Sequence, residues 1–113
     1  MSTKALSVSA PIDDPILKRL RADLDRIYGD RIERVVLFGS RARGEARSDS
    51  DYDVAVFIKK LAVFSEELDR LVDVETEILF ETGAVINALP FPAGGYRQRT
   101  GFMHELRQDG LDL

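Results

Sequence analysis

Residues 34–58 read RVVLFGSRARGEARSDSDYDVAVFI, and this stretch decides the fold. Arg34 to Phe38 is a short continuous apolar run, the pattern of a strand covered on both faces. Asp51 to Ile58 (DYDVAVFI) is the strongest strand signal in the chain. Between them Gly39-Ser40 breaks the first run. The polar segment that follows reads as a loop with room for one short helix after Ser40. A connection this short cannot carry a full strand–helix–strand crossover, so the two strands are not expected to form a parallel βαβ unit.

Working outward, Asp14-Pro15 is a helix start, with Asp as N-cap and Pro in the first turn. Leu17, Leu20, Leu24 and Ile27 recur at helical spacing, and Gly29 closes the element. On the other side, about 65–82 forms a longer helix with Leu68, Leu71, Val72, Glu75, Ile78 and Leu79 on one side, stopped by Gly83. Ala84 to Leu89 reads as a third strand ended by Pro90 and Pro92. A last helix spans about 100–109, with Phe102, Met103 and Leu106 inward and Gly110 as its stop. Tyr28, Phe57, Phe64 and Phe80 are assigned to the core or its margin, and Tyr52 to packing. The acids Glu66-Glu67 and Asp73-Glu75-Glu77 are read as a solvated helix face. The expected class is α/β, a small mixed sheet flanked by helices. The division is 1–11 as a loose N-terminal arm and 12–113 as one domain.

Length and composition bound the rest. The chain has 113 residues, enough for one modest core and no second one. Hydrophobic residues are 44% and charged residues 32%, a globular balance. Twenty acids against sixteen Lys plus Arg leave a net charge of -4, which speaks against non-specific binding to duplex nucleic acid. No cysteine is present, which excludes disulfides, thiolate metal sites and a cysteine nucleophile. The one histidine, His104, reads as a surface residue and cannot make a multi-histidine site. No apolar run approaches the ~20 residues of a membrane span, and the N-terminus shows no signal-peptide core. A cytoplasmic location is the simplest expectation.

The chemistry lies in Gly39 to Asp53. Gly39 has no Cβ and lets backbone approach a ligand closely. Ser40 offers a hydroxyl beside backbone N–H groups, an arrangement suited to phosphate. Asp51 and Asp53 are two apart on a strand, so both leave the same face. Two carboxylates near a phosphate-binding bend supply the hard oxygens Mg²⁺ requires, with places left for water and nucleotide phosphates. Arg41, Arg43 and Arg47 surround the bend, and one could steady a triphosphate. The plain alternative makes Gly-Ser a turn and the two acids charges guarding a sheet edge.

Glycine-serine, ten residues, then Asp-x-Asp resembles the signature of the DNA polymerase β-like nucleotidyltransferase superfamily. The fuller form GSRARGEARSDSDYDVAVF is similar to its minimal nucleotidyltransferase (MNT) branch, and the resemblance runs from about Ile12 onward. It implies a mixed sheet flanked by helices, binding of Mg²⁺ and ATP, and transfer of a nucleotide monophosphate. Gly39 and Ser40, with Arg41, Arg43 and Ser50 around them, would hold the nucleotide. Asp51 and Asp53 would ligate the metal and carry catalysis. The resemblance also implies a partner, a HEPN-type toxin, for which the MNT protein serves as antitoxin by adenylylating a hydroxyl.

One departure stands out. Members of the superfamily place a third carboxylate on a neighbouring strand, and here Asn87 falls at that position. An amide oxygen can touch a metal but takes no proton near neutral pH. Glu77 or Glu81 would serve instead if the strand alignment were shifted. Three functions follow: a protein adenylyltransferase antitoxin, a catalytically weakened homologue that neutralises its partner by contact, or a small-molecule (antibiotic) nucleotidyltransferase. Phe91, Tyr96 and Phe102 border a Pro/Gly loop that either closes over the site, docks a partner or is an ordinary turn. The apolar Phe91 and Phe102 leave an oligomer open.

Overall fold

The computed structural model describes residues 13–113; the expected arm at 1–11 lies outside the described residues. The elements in order are helix α1 (Pro15–Tyr28), strand β1 (Ile32–Phe38), strand β2 (Tyr52–Ile58), helix α2 (Phe64–Thr82), strand β3 (Ile86–Pro92), helix α3 (Gly101–Asp109) and a two-residue strand β4 (Leu111–Asp112). Short 3-10 turns at Gly29–Arg31 and Gly95–Arg97 join the larger pieces.

The sheet is mixed, in the order β3-β2-β1-β4. β1 and β2 are antiparallel, as the short connection requires. β2 and β3 are parallel, and α2 supplies the crossover. β4 was not legible in the sequence: two residues after Gly110 pair antiparallel with β1 through Val36 and Leu37.

Side-chain alternation then sorts the core into two layers. Val35 and Leu37 of β1, Val54, Val56 and Ile58 of β2, and Ile86 and Ala88 of β3 face α1 and α2. Leu17, Leu20, Leu24 and Tyr28 of α1 and Leu71, Val74 and Ile78 of α2 cover them. Val36, Ala55 and Phe57 point the other way, under Met103 and Leu106 of α3. α1 starts as expected: Asp14 Oδ1 accepts the Ile16 N–H at 2.8 Å and Pro15 opens the first turn.

Four expectations need correction. β3 runs through Pro90 and Pro92 instead of ending before them. The reason is that β3 is an edge strand. The Ala88 N–H turns away from β2 and is taken by Glu75 Oε2 at 2.8 Å. Pro90 and Pro92, two and four residues on, would aim their missing N–H groups at that same outer side, so the ladder loses nothing.

The buried stripe of α2 is Glu67, Leu71, Val74 and Ile78, while Val72 and Leu79 are exposed. Glu67 is buried because Arg31 Nη2 meets it at 2.8 Å, and Glu75 is half-buried rather than solvated. Phe64 and Phe80 do not belong to the core: Phe80 is 84% exposed. Finally, residues after Ser40 form a turn and no helix.

Candidate active site

The site is assembled where β1 ends, β2 begins and β3 lies alongside. Phe38, the last residue of β1, pairs with Asp53, so Gly39 turns out of the sheet directly beside that carboxylate. Gly39 has φ +76°, and a Cβ there would lie 2.5 Å from Asp53 Oδ2. The glycine is thus required twice: for its left-handed backbone and for the room that Asp53 occupies.

Asp51 and Asp53 leave the same face, and the parallel register sets Asn87 beside Asp53. Asn87 Nδ2 donates to Asp51 Oδ2 at 3.2 Å and to Asp53 Oδ1 at 3.3 Å. One amide nitrogen within reach of both carboxylates means that their oxygens border a common point. This is the face covered by α3, but that short helix leaves Asp51 and Asn87 exposed. Glu77 and Glu81 are elsewhere. Both bind Arg19 of α1, at 3.0 and 3.1 Å, on the opposite side of the sheet. Asn87 therefore holds the position next to the pair, and no shift of strand alignment brings an acid there.

The loop from Ser40 to Ser50 is tied down by its own residues. The Glu45 N–H donates to the Ser40 carbonyl and the Arg43 N–H to that of Gly39. Ser50 Oγ accepts the Arg47 N–H at 2.8 Å. Arg41 reaches the carbonyls of Ser50, Ser48 and Arg47, with its closest contact 2.7 Å, and lies 3.9 Å over the Tyr52 ring. The Tyr52 hydroxyl donates to Asp14 Oδ2 at 2.8 Å. Burial, reinforced by that carboxylate, pushes the tyrosine up to about 12. Arg41 is thereby a brace that fixes the loop on β2 and α1, with few donors left for a phosphate. Arg43 is exposed and paired with Glu45 at 2.9 Å, and this partner holds the guanidinium above its ordinary range.

A cleft of about 240 Å³ opens beside Gly39, lined by Phe38, Arg43, Phe102, Leu106 and the acids Glu105 and Asp109. Glu105 and Asp109 were not legible as cleft residues in the sequence, because a helix of nine residues gives no hint of which loop it faces. Phe91, Tyr96 and Phe102 are less free than expected. They form an aromatic chain with Phe38 and Phe57, with ring centres 5.3–5.6 Å apart. His104 is exposed, as read from the sequence.

The donor set suits a hard divalent cation: two carboxylates two residues apart at the start of β2, one neutral amide, and open space for water. Among the described residues no group of three or more His, Cys, Asp or Glu side chains is arranged to hold a metal ion. None of the described helices is long and apolar enough to cross a membrane.

Comparison with known proteins gives the family and the fold. Residues 25–88 match the family model described as Polymerase beta, Nucleotidyltransferase. Two Methanocaldococcus jannaschii proteins, named as candidate protein adenylyltransferases MJ0141 and MJ0604, are similar in sequence. The first is 26% identical over 98 residues, 87% of this chain and 95% of the relative. The second is 34% identical over 77 residues, 68% of this chain and 71% of the relative. A toxin–antitoxin crystallised with AMP-PNP shares the fold, with a TM-score of 0.58 and 17% identity over 84% of this chain and 69% of the other.

Proposed function

The chain belongs to the polymerase beta nucleotidyltransferase family, and on that premise we propose that it transfers AMP from ATP to a hydroxyl of a partner protein, a toxin of the HEPN type. The observation that carries the reading is the meeting of Asp51, Asp53 and Gly39 within one small space. Relatives named as candidate protein adenylyltransferases support a protein acceptor. The toxin–antitoxin of the same fold, crystallised with an ATP analogue, supports both nucleotide and partner.

In this proposal Asp51 and Asp53 hold Mg²⁺, which when bound neutralises charge on the triphosphate and on the departing pyrophosphate. Gly39 and Ser40 admit the phosphates against bare backbone. Ser50 and Arg41 fix the loop that presents them, and Arg43, paired with Glu45, is the cation that lines the cleft. The acceptor oxygen bonds to the α-phosphorus and the bond to the bridging oxygen of pyrophosphate breaks. The acceptor's proton goes to a carboxylate of the pair or to water, since Asn87 takes none near neutral pH.

Asn87 favours a second reading, a homologue of low turnover that neutralises its partner by contact. Loss of a general base costs typically 10²–10⁴-fold in rate. One experiment separates the two. The protein is mixed with labelled ATP, Mg²⁺ and the protein encoded beside it, and label is followed on that neighbour. Label that vanishes with Asp51→Asn and Asp53→Asn supports transfer. No label, with full neutralisation by both variants, supports contact alone. Label on an aminoglycoside instead would point to a small-molecule acceptor.

A further inference from the structure

We infer that Asn87 is a placeholder for the cation: its amide N–H₂ sits where a divalent ion would lie between Asp51 and Asp53, and must leave when the ion binds. This rests on the proposed metal role of the pair. Two carboxylates that border one point repel each other, and that repulsion is relieved by a cation or by hydrogen-bond donors. Among the described residues, Asn87 Nδ2 is the side-chain donor that reaches both of them. Of the loop arginines, Arg41 is committed to backbone carbonyls and Arg43 to Glu45.

The backbone gives Asn87 little freedom to move aside. It is fixed beside Asp53 by the parallel register, and the next residue, Ala88, is anchored to Glu75. Only the side chain can turn. With its nitrogen toward the pair, the amide excludes a cation. With its oxygen toward the pair, both hydrogen bonds to the aspartates are gone. Asn87 and the ion therefore compete.

The amide oxygen recovers little of that loss. Mg²⁺ keeps several waters in such sites, and a neutral carbonyl replaces a water at small gain. A carboxylate at the same position would instead add charge and no competing donor. Competition and ligation consequently predict opposite outcomes for removal of the side chain.

The test is a titration of the whole protein with Mn²⁺, read from the paramagnetic resonance signal of the free ion. Asn87→Ala is expected to bind Mn²⁺ about fivefold more tightly than the wild type, the scale of an exposed charge-assisted hydrogen bond. Asn87→Asp is expected to bind at least about tenfold more tightly. In the wild type, Mg²⁺ should shift the Asn87 side-chain amide resonances in the nitrogen–proton spectrum. Weaker or unchanged binding in Asn87→Ala, with Asn87→Asp folded and tighter, overturns the placeholder and makes Asn87 a ligand or a bystander. Binding that survives Asp51→Asn and Asp53→Asn overturns the metal role of the pair itself.

Discussion

Replacing Gly39 by alanine tests the centre of the site with a single methyl group. Two separate penalties follow from the structure. The backbone stands at φ +76°, where a side chain costs about 1–2 kcal/mol. The reduced freedom of the unfolded alanine chain returns about 0.4–1 kcal/mol. A net loss near 1 kcal/mol lowers the melting temperature by roughly 4 °C for a chain of this size. The second penalty is local. The new Cβ would lie 2.5 Å from Asp53 Oδ2, while ordinary contact begins near 3.4 Å, so the carboxylate must withdraw by roughly an ångström. A misplacement of that size can cost about 10²-fold in rate. Gly83→Ala supplies the control. Its φ is +79°, and a Cβ there meets nothing within 4 Å. Both variants should therefore lose similar stability in thermal melts. Only Gly39→Ala should lose Mn²⁺ affinity, by about tenfold, a change expected when one of two charged ligands is displaced. Equal cation affinity in the two variants would refute the argument that Gly39 exists to make room for Asp53.

Arg41→Lys should loosen the loop although the charge is kept, because an ammonium cannot span the carbonyls of Ser48 and Ser50 while covering Tyr52. Faster amide exchange across residues 42–50, with a stability loss of about 1–2 kcal/mol, is the expected result. Glu75 provides a pH-dependent case. Burial raises this carboxyl above its ordinary value, against the lowering effect of the Ala88 N–H. Its stabilising contribution is thus complete below about pH 4.5 and fades as pH rises through the folded value. Glu75→Gln keeps an acceptor for Ala88 without the charge, so its urea midpoint should exceed the wild type's at pH 7 and the advantage should vanish at pH 4. Phe80→Ser should leave the melting temperature within about 2 °C, since the residue is already 84% exposed.

Much of the fold was legible in local sequence. The Asp14-Pro15 start, the Gly83 stop and the apolar runs of β1 and β2 report on residues near one another in the chain, and these are governed by capping, backbone freedom and side-chain period. The mixed sheet followed from the length of one loop. The pairing of Asp51 with Asp53 followed from strand alternation, and their meeting with Gly39 from the hairpin-like return of β2 along β1.

Long-range packing decided the rest. Whether Pro90 ends a strand depends on which neighbour its missing N–H would face, and only the edge position of β3 answers that. Which side of α2 is buried depends on where α1 shares the same sheet face; Glu67 entered that layer because Arg31 waits there, and Val72 did not. The sequence alone placed an amide at residue 87 but left Glu77 and Glu81 as substitutes. The tertiary structure removed both by setting the sheet between them and the aspartates, and aimed the Asn87 nitrogen at the pair. Local chemistry is written in adjacent residues, whereas the face a side chain occupies is fixed by partners far away in the chain.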